Sequence, residues 1–352
     1  CTTTSDHHYL FPVGQPVELI DGDIRAAREL GIRFQPTRGS MTLGEDRGGL
    51  PPMSLIEDDD RVLADYERLI ATYHDRSPYA MTRISLAPCA PFNVTPRLFT
   101  ETVAVARRHG VRLHTHLAET ADEDVYCAEH FGKRPFDFVA DQGWEGNDVW
   151  FAHCVKINSV EIERFARSGV AVAHCPSANA RLGSGVAPVP EMLRAGVAVG
   201  FGVDGSASND SGDLLGEARL AFKIHRATWG AQSLTPRDCL WMLTRGGAAV
   251  LGNEHIGRLT PGAAADVVLF DMERLAYAGG PSADPLAALI MCGTTSHVDW
   301  SIINGRVVVE RGVITGLAER QLVQAANSVS SRLLRYGHEV HGIDYLEHTR
   351  WK

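Results

Sequence analysis

The sequence predicts a parallel (β/α)8 barrel of the TIM type with a small β-sandwich domain appended. Three observations carry that prediction. Short β-branched runs alternate with helical patterns over most of the first 251 residues, which is the signature of βα units and a parallel sheet. Polar residues with metal-binding and proton-transfer chemistry close several successive runs, where a parallel barrel keeps its reactive groups. After about residue 252 the texture changes to short strands joined by Pro-Gly, Asn-Gly and Arg-Gly turns, an antiparallel signal.

The elements follow in chain order. The opening residues 1–5 read as the end of a strand and "IRFQPT" (32–37) as the next. Helix 54–74 is expected to start from a Ser54 cap and to place Val62, Tyr66, Leu69, Ile70 and Tyr73 on one face. "RISLAP" (83–88) is a strand, and "PRLFTETVAVARRHG" (96–110) a helix opening on Pro96 and ending on Gly110. Strand "VRLHTHL" (111–117) precedes helix 120–131, and strand "DVWFAH" (148–153) precedes helix 159–168. Strand "GVAVAHC" (169–175) leads to helix 189–195, and strand "VAVGFGVD" (197–204) to helices 212–228 and 235–251.

These runs give seven strands. No G-x-G-x-x-G turn follows an early strand, so a dinucleotide-binding sheet has little support. A barrel needs an eighth strand. Because the chain begins at Cys1 in mid-pattern and without a methionine, that strand is expected upstream. The predicted organisation is a barrel lacking its first strand over 1–252, sandwich strands over 253–318, and a helix and tail over 319–352. In the tail, Leu322, Ala325, Val329 and Leu333 are spaced for one helical face.

Composition narrows the partners. A formal charge of −9 argues against a phosphate backbone as ligand, so no nucleic-acid partner is expected. No apolar run approaches the roughly 20 residues of a membrane span, so no membrane partner is expected either. The seven cysteines form no C-x-x-C pair, which disfavours a disulfide framework or zinc knuckle and favours reduced thiols in the cytoplasm. A small molecule is the expected partner, and a homo-oligomer is compatible with the sequence.

His116, His153, His174 and Asp204 close successive strands. Imidazole and carboxylate are donors for a catalytic divalent metal, with zinc expected first and iron(II) as the alternative. A single strand-end histidine is more often a hydrogen-bonded structural group, and that reading is favoured for His174. His114 lies one residue pair deeper than His116 and is read as packing or as support for a ligand. Glu119 lies past the strand end, where a loop can return its carboxylate over the site as a general acid/base.

"HTHLAET", "FAHC", "HCPSANARLGSGVAPVPEML" and "GFGVDGSASND" together resemble the metal-dependent amidohydrolase superfamily. The branch is that of cytosine, guanine and adenosine-type deaminases and triazine chlorohydrolases. The resemblance extends to "IGRLTPGAAADVVLFD" and "VDWSIINGRVVVERG", which look like the C-terminal half of the family's sandwich. It implies that His116 binds the metal and Glu119 shuttles a proton. It further implies that His153 polarises the attacking water or the substrate, and that Asp204 binds the metal and assists proton transfer. The family takes two more ligands from an H-x-H on its first strand; with the other sandwich half, these are expected upstream of Cys1.

"SDHHYLFP", "TRGSMTLGEDRGGLPP" and "LAPCAPFNVTP" resemble the 8-oxoguanine deaminases of that branch. The implied reaction is hydrolytic deamination of an oxidised purine, 8-oxoguanine giving urate and ammonia. Cys89 stands where many relatives carry histidine and is expected to meet the substrate. Arg38 faces either a substrate carbonyl or a salt-bridge partner at the surface. His7, His8 and Tyr9 line the pocket or pack their loop. Guanine, isoxanthopterin and chlorotriazines are alternative substrates, and a non-catalytic small-molecule binding protein is the alternative from another class.

Overall fold

The computed structural model describes residues 1–292 and 298–344. Parts of the predicted sandwich segment (293–297) and tail (345–352) lie outside the described residues. Seven parallel strands form one curled sheet in strictly sequential order. They are β1 (Thr3–His8), β2 (Arg33–Ser40), β3 (Ser85–Pro88), β4 (Arg112–Leu117), β5 (Val149–His153), β6 (Ala171–His174) and β7 (Val199–Phe201). Sequential order with a helical crossover between neighbours is the barrel topology. Among the described residues β1 and β7 remain edges of the sheet.

Strand alternation divides the sheet into two faces. Leu86, Leu113, Val149, Phe151, Val172 and Val199 join Leu69, Leu98, Phe99, Phe136, Phe165 and Met192 of the surrounding helices in the main core. Trp150, Ala171 and Ala173 lie on the opposite, inner face, packed against Val250. The helix over 236–250 carries a π-helical turn at Met242–Gly246 and runs hard against β7. A Cβ on Gly246 would meet the Val199 carbonyl oxygen at 2.1 Å, so only glycine allows that approach.

Helix Asp59–Tyr73 buries Val62, Tyr66, Leu69 and Ile70 as its spacing predicts. It starts five residues later than expected from a Ser54 cap. Asp58 caps it instead, accepting from the amides of Asp60 and Arg61, while Ser54 lies in a 3-10 turn over Met53–Leu55. Helices Leu19–Leu30, Pro135–Asp141 and Pro176–Arg181 add to those the pattern predicts.

A four-stranded antiparallel sheet follows: β8 (Val267–Leu269), β9 (Trp300–Ile303), β10 (Arg306–Glu310) and β11 (Val313–Ile314), in the order β11-β10-β9-β8. The Asn304-Gly305 turn has φ of 48° and 83° and the Arg311-Gly312 turn 51° and 80°, the left-handed pairs that tight hairpins require. A buried ion pair, Arg33 to Asp266 at 2.9 Å, fastens this sheet to the N-terminal end of β2, away from the strand ends that carry the site. The C-terminal helix spans Glu319–His341, and its apolar positions Leu322, Val329, Leu333 and Tyr336 are exposed.

Candidate active site

The site is built where β4, β5 and β7 end. In β4, His114 and His116 share the inner face with Trp150 and Ala152, their register partners on β5. His114 is buried, stacks on Trp150 with 4.8 Å between centroids, and donates from Nδ1 to the Trp150 carbonyl at 3.3 Å. His116 stands one pair nearer the mouth. Its Nδ1 donates to the Cys89 carbonyl at 2.8 Å, which fixes the tautomer and leaves Nε2 with its lone pair.

Rings from β1 and β5 sandwich His116. His7 stacks on one side at 4.6 Å and His153 on the other at 5.3 Å. Burial, then repulsion between these rings, pushes the pKa of His7, His114 and His116 down; burial alone drives that of His153 down, against the pull of Asp204. Neutral imidazoles with lone pairs are what a metal ion needs.

Alternation would put His153 on the outer face with Val149 and Phe151, because it pairs with Leu117. It instead adopts φ of 69°, followed by Cys154 at 51°, and its ring turns over the barrel mouth. Ala118 (51°) and Asp204 (65°) are left-handed too. Among the described residues, six non-glycine residues have positive φ; four sit at or just past these strand ends and the other two lie in the hairpin turns. Each such residue costs about 1–3 kcal/mol, and clustering of that strain marks a functional site.

Asp204 lies three residues beyond Phe201, the end of β7, and does not close the strand as the sequence pattern implies. Its Oδ1 accepts from the Gly205 amide at 2.7 Å and its Oδ2 from the Ser208 hydroxyl at 2.8 Å. His116, His153 and Asp204 each offer one ligand atom within 4.8 Å of the others. Glu119 Oε1 approaches His153 Nδ1 to 3.7 Å. Burial raises the Glu119 carboxyl, opposed by His116 and reinforced by Asp204, the direction a proton-transferring carboxyl needs.

Tyr9 and Cys89 complete the rim. The Tyr9 ring centroid is 6.3 Å from that of His116; burial raises its hydroxyl pKa, with further contributions from Cys89, Asp204 and Glu119. The Cys89 thiol lies 3.9 Å from His116 Nδ1, and burial pushes it up to about 12, so it is a neutral group and no nucleophile.

Arg38 is not brought to this cluster. Its register partners are His8 and Leu86, so it faces the outer layer. There it is fully buried, donates to Glu57 at 2.7 Å and 2.9 Å and to Asp65 at 2.7 Å, and lies over the Phe11 ring. The salt-bridge alternative describes it, in the interior instead of at the surface. His8 likewise turns outward to Asp23 at 2.8 Å, whereas His7 and Tyr9 reach the site. His174 is buried against helix Leu214–Trp229, 5.0 Å from the His225 ring, and stands apart from the cluster.

Several supporting residues escaped the sequence pattern. Asn179 Oδ1 accepts from His153 Nδ1 at 2.9 Å. Glu217 binds the Asn209 side chain at 2.9 Å and the Ser177 amide at 3.0 Å, tying the Asp204 loop to the turn after β6. Glu123 accepts from the amides of Ala118 and Glu119. The signal for Glu123 was present in the sequence as T-x-x-E over 120–123.

Two imidazoles and a carboxylate converging at one barrel mouth match the donor set of a catalytic divalent ion, and zinc fits it chemically. The fold and this site define the class: a hydrolase on a parallel barrel with a candidate metal centre at its mouth. The chain belongs to the amidohydrolase family, whose description matches residues 1–308. It is 45% identical over 334 residues to the 8-oxoguanine deaminase of Pseudomonas aeruginosa, covering 95% of this chain and 74% of that protein. It is 40% identical over 340 residues to the hydroxydechloroatrazine ethylaminohydrolase of a Pseudomonas species, covering 96% and 70%. The crystal structure of an atrazine chlorohydrolase from Arthrobacter aurescens TC1 complexed with zinc superposes with a TM-score of 0.89, at 38% identity, over 94% of this chain and 72% of that one. No helix among the described residues is long and apolar enough to cross a membrane.

Proposed function

We propose that the chain is a zinc-dependent aminohydrolase that converts 8-oxoguanine to urate and ammonia. The observation that carries this reading is the convergence of His116, His153 and Asp204 at the barrel mouth, with the Glu119 carboxyl 3.7 Å from His153. His116 and Asp204 would hold one divalent ion, with His153 near enough to join them; iron(II) is the second choice of metal. When bound, such an ion supplies Lewis acidity that brings the ionisation of water toward neutral pH.

The chain's own groups supply the rest. Glu119 takes the proton from the adding water and passes it to the ring nitrogen beside the amino-bearing carbon. His153, oriented by Asn179, hydrogen-bonds the oxygen that adds, and Asp204 receives its remaining proton. Collapse breaks the C–N bond, and ammonia leaves with the proton that Asp204 received, while the ring nitrogen keeps the one delivered by Glu119. Tyr9 and the neutral Cys89 thiol meet the purine edge. The 45% identity to an 8-oxoguanine deaminase supports the choice of purine. The 40% identity to an enzyme named for a triazine keeps a sibling substrate as the second reading.

The test is zinc-loaded protein incubated with 8-oxoguanine, guanine and isoxanthopterin in parallel. Urate and ammonia in equal amounts, with the highest kcat/KM for 8-oxoguanine, are the expected result. A higher value for either competitor moves the assignment to that substrate. No turnover of any of them, nor of a chlorotriazine, would leave a binding protein.

A further inference from the structure

Among the described residues, three helices open on a Thr or Asn cap with an acid three residues later. In two of them the acid reaches back to the cap residue's own amide: Glu161 accepts from Asn158 at 2.8 Å, and Asp238 from Thr235 at 2.8 Å. That reciprocal arrangement closes on the helix's own cap residue, and Glu161 additionally receives Arg134 at 2.8 Å. The third departs from it. Thr120 caps helix Ala121–Phe131 by accepting from the Glu123 amide, yet the Glu123 carboxylate reaches beyond the cap residue. Its Oε1 accepts from Ala118 and its Oε2 from Glu119, both at 2.9 Å.

Those two amides belong to the turn between His116 and Glu119. Ala118 is left-handed there, and its carbonyl accepts from the Lys156 amide at 2.8 Å. The Leu117 carbonyl accepts from the Cys154 amide at 3.0 Å, so the turns carrying Glu119 and His153 are stitched together. The Glu119 carboxyl itself is held only loosely, since 3.7 Å to His153 is too long for a hydrogen bond. Its aim therefore comes from its backbone. A buried carboxyl group that spans two consecutive amides fixes both peptide planes at once, and Glu123 is 2% exposed.

We infer that Glu123 is a positioning residue for proton transfer: a capping glutamate diverted from its helix to lock the backbone that aims Glu119. The inference rests on the proposed function for the role of Glu119, while the clamp itself is independent of any substrate.

The test compares Glu123→Ala and Glu123→Gln with Asn158→Ala, which removes an ordinary cap on another helix of the same barrel. Full-length zinc-loaded protein is measured for kcat, KM, melting temperature and amide exchange at Ala118 and Glu119. Glu123→Ala is expected to lower kcat on the order of 100-fold with KM unchanged, the scale of a displaced catalytic group. Exchange at the two amides should speed up roughly tenfold. Glu123→Gln, which keeps one acceptor oxygen, should fall between Glu123→Ala and wild type. Asn158→Ala should lower the melting temperature while leaving kcat and both amides as in wild type. Unchanged exchange in Glu123→Ala overturns the clamp. A kcat loss matched by Asn158→Ala at equal loss of melting temperature overturns the positioning role. If the wild-type protein deaminates none of the three heterocycles, the functional reading fails, and the exchange data still decide whether Glu123 holds the turn.

Discussion

The layer between β2 and helix Asp59–Tyr73 and the mouth above β4, β5 and β7 both bury ionisable groups, and they treat them in opposite ways. In the layer, each charge is matched. Arg38 sits between Glu57 and Asp65, Asp65 also receives Arg68 at 2.7 Å, and Arg68 reaches Asp21 at 2.8 Å. None of these residues has a positive φ. At the mouth, His116, His153, Asp204 and Glu119 converge without cancelling one another, on a backbone strained at Ala118, His153, Cys154 and Asp204. Matched burial serves stability. Convergent groups held by strain and facing one open point serve a ligand.

The contrast breaks most sharply at Asp204. Asp204→Asn removes a charged donor from the mouth, so bound zinc, measured by elemental analysis, should be lost. Turnover should fall by roughly three orders of magnitude or more, the several kcal/mol that a Lewis acid supplies. Folding stability should hold or improve. In the matched layer the outcome should reverse. Glu57→Ala leaves the buried Arg38 guanidinium without its two-point partner and is expected to cost about 3–5 kcal/mol in chemical denaturation. Turnover per folded molecule should stay at the wild-type level.

The smallest of these effects is one of pH. Burial holds His225 down at about 4, from an ordinary value of 6.5. The unfolded chain therefore binds a proton that the folded one refuses as pH falls from 6.5 toward 4, and stability must drop across that window. His225→Phe should flatten that slope by up to about 1.4 kcal/mol per pH unit, read from denaturation midpoints at several pH values.

The strand count and the parallel order were legible because β-branched runs and helical periods alternate so regularly. His116, Glu119 and Asp204 could be singled out as candidates because they fall at or just past strand ends, and the structure brings them together. Register was not legible, and it decides which face a strand residue takes. Arg38 pairs with His8 and Leu86 and turns outward, whereas its neighbour Thr37 pairs with His7 and Ser85. His153 reaches the mouth only through a left-handed backbone that no spacing rule encodes. The cap at Asp58 was hidden in a run of three aspartates, any of which has the right chemistry. Asn179 and Glu217 act through contacts 26 and 40 residues away in sequence, beyond any local pattern. Leu322, Val329 and Leu333 have the spacing of a packed face yet lie exposed, because periodicity reports a helix face and not what covers it.

The most direct test of the central claim, that the mouth is built for proton transfer and the layer for stability, is 8-oxoguanine turnover by zinc-loaded Glu119→Gln at matched metal content. The account predicts a loss of about 10²–10⁴-fold, the share of a general acid/base, with the melting temperature at or above that of wild type. Turnover at the wild-type level, or a loss no larger than the accompanying drop in folded protein, would contradict it.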